Sequence, residues 1–320
     1  MGRYVANTAI LAKIEATSGT DAAPVGATDA VLISEMSITP LDATLVQRNL
    51  IRPYFGNSEQ LITTANVKAS YSVELAGSGT AGTPPQWGKL LLGCACAEAQ
   101  LTTPARVEYT PVNTALKTLT QYWHDDGVLH KLLGAMGNAK ISAKVGTIPK
   151  LKFDWIGVDG GISTVANPAV VLTAWKTPPV MNKVSTVDIT LGATYAAGVL
   201  TGGTVYPSTG LECDLGNKTS FFALLSQERV EITDRDSTGS MVLELTAAQE
   251  VTFMATVKAN TTQSLALTIG TVAGNKVMLF FPAVQLIKPT KQDQNGVRLV
   301  GYELVPVPVV GNDDFRIICL

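Results

Sequence analysis

Charged residues are scarce in this chain. They make up 16% of its 320 residues, against roughly 25% in an average soluble domain. A surface this poor in charge suits a chain largely covered by copies of itself, because the cores of buried interfaces are depleted of charge. Neither sign is in excess: 24 Lys and Arg stand against 26 Asp and Glu, a net charge of -2, which argues against a dedicated DNA-binding protein and against a basic membrane-surface binder. Histidine is limited to His124 and His130, so a catalytic triad or a histidine metal site would have to use one of those two positions. The four cysteines, Cys94, Cys96, Cys213 and Cys319, include no Cys-x-x-Cys pair. Cys94 and Cys96 stand too close in sequence for an ordinary bridge, and a reducing compartment fits best. No apolar run approaches the roughly 18 residues of a membrane-crossing helix. Asn7, Thr8 and Lys13 interrupt the apolar start, so the chain reads as soluble and unexported. Aromatic residues are 6% of the chain and scattered, which leaves little for a carbohydrate-binding or adhesin-type sandwich, the alternative kept open here.

Apolar residues, by contrast, reach 46%, enough for a sizeable core. At about 150 residues per domain the length suggests two domains.

Much of the sequence alternates apolar and polar residues, the pattern of strands with one buried face. Val67, Ala69, Tyr71, Val73 and Leu75 point one way, while Lys68, Ser70, Ser72 and Glu74 point the other; Leu151, Phe153 and Trp155 alternate with Lys152 and Asp154, and Leu265, Leu267 and Ile269 with Ala266 and Thr268. Asp126-Gly127 supplies the positive φ pair of a type I′ turn and predicts a hairpin. Two more hairpins are expected around Ala273-Gly274-Asn275 and Gln294-Asn295-Gly296. The fold class is therefore mainly β.

Two segments read as helices. Thr83-Pro84-Pro85-Gln86 opens the first, with Trp87, Leu90, Leu91 and Cys94 as its apolar stripe. Thr246-Ala247-Ala248-Gln249 opens the second, with Val251, Met254 and Ala255 beneath and Asn260 as its stop. Each start follows a related strand, Ser-Tyr-Ser-Val-Glu-Leu at 70–75 and Ser-Met-Val-Leu-Glu-Leu at 240–245. In each half a Gly-Asn pair then leads into a strand, at Gly137-Asn138 and Gly274-Asn275. These matches read as an internal duplication with its joint near 160–179, giving domains at 1–170 and 171–320; chance recurrence of common caps and turns is the alternative. Residues 192–210 read as an extended loop or weakly specified strands.

No enzyme signature survives inspection. Gly77-Ser78-Gly79-Thr80-Ala81-Gly82 matches a dinucleotide fingerprint formally, but no apolar parallel strand with a terminal acid follows it, and it reads as a flexible linker. If Asp126-Gly127 is a two-residue turn, His124 pairs with Leu129 and His130 with Trp123, which puts the imidazoles on opposite faces; a three-residue turn would bring them together. Asp125 and Asp126 remain a formal carboxylate pair. No metal or other cofactor is expected. The segment 42–66 reads as a projecting loop, with Arg48, Arg52, Tyr54 and Phe55 together as in partner-binding loops, or else as an Ω-like loop packed on its own domain. Residues 229–240, with Asp234-Arg235-Asp236, read as a solvated turn.

The residues resemble the major tail, or tail tube, proteins of long-tailed phages with non-contractile tails. The resemblance rests on 5–32, with Lys13-Ile14-Glu15, Gly19-Thr20-Asp21 and Asp29-Ala30-Val31-Leu32; on Leu129-His130-Lys131 through Gly137-Asn138 and then 151–157; and on Gly274-Asn275-Lys276-Val277, Pro282, Asn295-Gly296 and 307–320. It implies tandem tube domains, each a β-sandwich or barrel with one flanking helix. Such subunits form rings that stack into a hollow tube through which duplex DNA leaves the capsid, without specific binding. It implies partners in further copies of the chain and in the tape measure, tail terminator and distal tail proteins, no membrane, and a place in the virion tail after assembly in the bacterial host cytoplasm. The loop at 42–66 stands where the family touches the adjacent ring, which makes Arg48, Arg52, Tyr54 and Phe55 the inter-ring candidates. Glu74, Asp154, Glu244 and Glu303, opposed in parity to apolar neighbours, are the candidates for the lumen. Most members form hexamers of one tube domain each. Two domains per chain predict a trimer with pseudo-sixfold symmetry, the hexamer being the alternative.

Overall fold

A computed structural model describes residues 2–320. In the first half, a short 3-10 turn at Val5–Asn7 leads into β1 (Thr8–Ile14), β2 (Ala30–Val31), β3 (Ser34–Gln47), β4 (Gln60–Glu74), α1 (Gly88–Leu92), β5 (Cys96–Thr102), β6 (Ala105–Pro111), β7 (Leu119–Asp125), β8 (Val128–Lys144) and β9 (Lys150–Thr164). The second half contains β10 (Thr186–Ala196), β11 (Val199–Tyr206), β12 (Ser208–Asp214), β13 (Asn217–Leu224), β14 (Gln227–Arg235), β15 (Thr238–Leu243), α2 (Ala247–Lys258), β16 (Thr262–Ile269), β17 (Val277–Gln294), β18 (Val297–Pro306) and β19 (Arg316–Cys319). The protein is mainly β, every strand pairing is antiparallel, and there are two α-helices among the described residues.

The two halves share one pairing scheme. In the first, hydrogen-bonded neighbours run β1-β7-β8-β9-β4-β3, with α1 between β4 and β7 in the chain. In the second they run β10-β16-β17-β18-β15-β12, with α2 between β15 and β16. Corresponding irregularities recur: β7–β8 slips between Leu119 and Gln121, and β16–β17 between Gln263 and Leu265. These bulges let the long strands β8 and β17 bend from one layer of the sandwich to the other. Among the described residues the β5–β6 hairpin, between α1 and β7, has no counterpart between α2 and β16.

Alternation is borne out where it is strongest. Val67, Ala69, Tyr71, Val73 and Leu75 are buried, as are Leu151, Phe153 and Trp155. The predicted turns also stand: Asp126 and Gly127 both have positive φ, and Asn295-Gly296 closes β17 onto β18. In β16, Ala266 and Thr268 are buried along with Leu265, Leu267 and Ile269. Ala266 belongs to a satellite cluster with Met278, Phe280 and Ile318, packed against Tyr195 and Leu200.

Several expectations are corrected. The first helix is a short turn beginning after Trp87, with no side-chain cap, instead of opening at Thr83. Pro85 disfavours the helical region for Pro84, so the chain enters the helix late. Trp87 fixes it instead, its indole Nε1 donating to Ala76 O at 2.7 Å. The second helix starts as expected: Thr246 accepts from Gln249 N, and the Gln249 side chain accepts from Thr246 N at 2.9 Å. Its buried residue is Phe253, however, with Met254 and Val257 partly covered, while Val251 and Ala255 are exposed. Thr246→Ala is expected to lower stability by about 1 kcal/mol in urea unfolding, because an N3 backbone donor loses its cap.

The glycine stretch 77–82 is no flexible linker. Gly77 N donates to Asn275 Oδ1 at 2.9 Å and Gly79 N to Gly274 O at 2.8 Å. A Cβ on Gly77 would lie 2.2 Å from Gly274 O, so the glycines permit a close backbone approach between the halves. Residues 192–210 resolve into the β10–β11 hairpin and the start of β12. The four cysteines are free and buried.

Candidate functional site

β8 carries the connection that matters most. Beyond Ala135 it has left β7, and there its open edge is taken by β12 of the second half, in the register Lys140↔Asp214, Ser142↔Glu212 and Lys144↔Gly210. Eight strands, β3-β4-β9-β8-β12-β15-β18-β17, thus form one antiparallel sheet running across both halves. One face covers the core. The other is polar, since directly opposed residues share a face. One row crosses Ser37, Ser70, Asp154 and Asn138; another crosses Ser142, Glu212, Ser240 and Glu303.

This face holds all four carboxylates singled out above. Asp154 accepts from Ser70 Oγ at 2.9 Å and lies opposite Asn138. Glu74 opposes Lys150 at the end of β4. Glu303 pairs with Lys288 at 2.7 Å, and Glu244 stands just past β15, exposed. Lysines accompany them: Lys140 pairs with Asp214 at 3.1 Å, Lys144 with Glu212 at 2.7 Å, Lys150 with Glu35 at 2.6 Å and Lys68 with Asp42 at 2.6 Å, partners that the parity of a single strand does not reveal. Glu35 is held below the ordinary carboxylate range, chiefly by hydrogen bonds from Lys150 and Ser72. The face therefore presents hydroxyls, amides and neutralised ion pairs. It is hollowed by a groove of about 780 Å³ along the β8–β12 joint, continued by one of about 440 Å³ that shares Lys144, Glu212 and Ser240.

The segment 42–66 is corrected from a loop to a hairpin arm. β3 and β4 stay paired out to Gln47↔Gln60, and the stretch without strand is 48–59. Arg48 is ion-paired with Glu59 at the base of this tip. Arg52, Tyr54 and Phe55 lie within it, Phe55 being fully exposed at 107% and Ile51 at 104%. In the second half the corresponding hairpin is β13–β14, which likewise continues β12 and β15. Residues 229–235 and 238–240 therefore belong to β14 and β15, and the segment is not a solvated turn. Arg235 forms a two-point ion pair with buried Asp314 at 3.1 and 3.2 Å, and Ser237 Oγ donates to the same carboxylate at 2.7 Å.

The histidines occupy the register of a two-residue turn, His124↔Leu129 and Trp123↔His130, so their side chains point to opposite faces. Burial holds both imidazoles below the ordinary histidine range, the carboxylates of Asp125 and Asp159 opposing this at His130. Asp125 pairs with Arg3 at 3.4 Å. Asp126 accepts from Tyr4 N at 2.6 Å and Asn7 Nδ2 at 3.1 Å. Both carboxylates are thus committed to holding the N-terminal segment.

A sheet that spans both halves, polar on its open face and unpaired at its two ends, is an architecture for assembly. The sequence model of the family described as phage tail tube protein matches residues 5–311. This chain belongs to that family. No curated protein matches it. As a tail tube protein it is a structural component of the virion tail that assembles with copies of itself and contacts other tail proteins. Among the described residues no helix is long and apolar enough to cross a membrane.

Proposed function

We propose that this tail tube protein polymerises into stacked rings forming the hollow tail of a long-tailed phage with a non-contractile tail, and that the polar face of the eight-stranded sheet lines the bore. The observation that carries the reading is this continuous sheet, built from four strands of each half, with a polar face and an open edge at either end. The matching strand orders support domains at 1–170 and 171–320. Three chains then place six repeats around the axis, a trimeric ring with pseudo-sixfold symmetry. Averaged electron micrographs of assembled tubes, together with the mass of a depolymerised ring, test this; six chains per ring would refute the trimer.

A bore that passes duplex DNA must not hold it. Affinity for DNA comes largely from cations on phosphates. On this face most lysines are already paired with acids, Glu303 balancing Lys288, and among the lumen residues Glu74, Asp154 and Glu244 add negative charge. Replacing these four acids by Lys is expected to leave tubes intact while slowing genome exit by roughly tenfold or more at low salt, with recovery as salt rises. Fluorescence of released DNA reports the rate, and unchanged release would refute the electrostatic part.

The tip at 48–59, with Arg48, Arg52, Tyr54 and Phe55, is the inter-ring contact in this reading. It is supported by the exposure of Ile51 and Phe55 and by the corresponding β13–β14 turn, where β13 ends at Leu224 and β14 begins at Gln227. The tail terminator and distal tail proteins would close the two ends of the tube, around a tape measure protein during assembly in the host cytoplasm.

A further inference from the structure

The joint between the halves can be compared with what each half leaves open. Ser70 opposes Asp154 on one side and Ser37 on the other; Ser240 opposes Glu303 and Glu212 in the same way. Ser37 thus corresponds to Glu212, Ile38 to Cys213 and Thr39 to Asp214. The bulge preceding them is also shared: β3–β4 slips between Ser34 and Ser37, β12–β15 between Ser208 and Leu211, with positive φ at Glu35 (53°) and Gly210 (116°). On the partner strand, Lys140 opposes Lys152, two residues before Asp154, and Thr290 opposes Gly301, two residues before Glu303. Thr290, Gln292 and Gln294 therefore correspond to Lys140, Ser142 and Lys144.

In the middle of the chain these two edges meet as β12 on β8. At its ends they stand unpaired. β3 pairs with β4 alone, and β17 beyond Gln285 pairs with β18 alone, its residues 288–294 all exposed. The arms repeat the contrast. Hairpin β13–β14 is seated against the first half, where Asn217 Nδ2 donates to Cys94 O at 2.8 Å and to Gly137 O at 3.1 Å, and Val230 is 2% exposed. The β3–β4 arm has nothing beneath it, and Val46 and Leu61, a cross-strand pair, are 52% and 53% exposed.

We propose that the β12–β8 joint inside one chain is repeated between chains: the outer edge of β3 pairs antiparallel with the free edge of β17 in a second copy, in the register Glu35↔Gln294, Ser37↔Gln292 and Thr39↔Thr290. The β3–β4 arm then lies on β17 and β18 of that copy as β13–β14 lies on β8 and β9. This rests on the tube reading and specifies its lateral contact. Pairing both edges removes the open strands that would otherwise invite indiscriminate association. The internal joint carries the ion pairs Lys140–Asp214 and Lys144–Glu212. In the joint between chains these positions are Thr290 with Thr39 and Gln294 with Ser37, so neutral hydrogen-bonding side chains replace both pairs.

The full chain carrying Ser37→Cys and Gln292→Cys, assembled and then mildly oxidised, tests the register. The native thiols are buried and contribute little background. Non-reducing electrophoresis is expected to show covalent multimers from the double variant and monomer from either single one. Ser142→Cys with Glu212→Cys gives the same geometry within a chain, and should form a bridge without multimers. Hydrogen exchange on the unmodified chain is the second measurement: amides of 37–39 and 290–294 should slow at least tenfold on assembly. Tubes that form while these amides stay unprotected and the Ser37/Gln292 variant stays monomeric would overturn the proposed joint yet leave the tube reading standing. A chain that never forms annular particles would overturn both.

Discussion

Replacing Glu108 with Ala is expected to lower stability by about 3 kcal/mol, the cost of leaving the buried Arg106 and the half-buried Arg316 without their counter-ion. Glu108 lies on β6 of the first half and is 6% exposed. Its Oε1 accepts from Arg106 Nε and from Tyr195 OH, each at 2.6 Å, and its Oε2 pairs with Arg316 Nη1 at 2.8 Å. Tyr195 and Arg316 belong to the second half, so one carboxylate ties the halves together beside the β6–β19 pairing. Burial alone would raise the Glu108 pKa, but hydrogen bonds from Tyr195 and Arg106 and the charge of Arg316 outweigh it, and the net shift is downward. A carboxyl whose folded pKa is depressed contributes stability above its unfolded value, near 4.5, and that contribution is lost as pH falls through the folded value. Urea midpoints should therefore drop below about pH 4.5 in the native chain, and by a smaller amount in Glu108→Ala, where the other depressed carboxylates such as Glu35 remain. Equal acid sensitivity of the two proteins would show that Glu108 is not the group responsible.

Trp155→Ala is expected to cost about 3–5 kcal/mol, by a different route: a large cavity in a close-packed interior. Trp155 is 1% exposed, stacks on Phe153 at a centroid distance of 5.5 Å and lies 6.4 Å from Tyr71. Gly93 and Gly137 shape its site, since a Cβ on either would lie 2.9 or 2.6 Å from the indole ring. The indole Nε1 makes no hydrogen bond, so the loss is one of packing. Because no acid is removed, the decrease should be the same at pH 7 and pH 5. A fall in the urea midpoint with an unchanged slope would report destabilisation without a change in the surface exposed on unfolding. A loss under about 1 kcal/mol would mean that the core closes over the cavity.

Where alternation is strong, the strands and their faces are legible in the residues alone. Alternation is local: neighbouring residues of an extended chain point to opposite sides, so the buried set Val67, Ala69, Tyr71, Val73 and Leu75 and the opposed Ser70 and Glu74 can be read without any partner strand. The Asp126-Gly127 and Asn295-Gly296 turns and the Thr246 capping box are equally local, each spanning four residues or fewer. The related hexapeptides at 70–75 and 240–245 marked strands that prove to hold corresponding places in the two pairing schemes. Where two local signals competed, the reading failed, as at Thr83, whose cap signal is cancelled by consecutive prolines.

What those strands meet follows from pairing across the fold. That 42–66 and 229–240 are parts of arms, that Lys140 and Lys144 face Asp214 and Glu212, and that Gly77 and Gly79 press against a turn some 200 residues away in sequence all depend on pairing between distant segments. No periodicity within either segment encodes the register between them. The same holds for the sheet that runs through both halves. Its polar face is a sum of local alternations, but its continuity rests on a single joint, β8 with β12, whose register is fixed by bulges and by long-range packing.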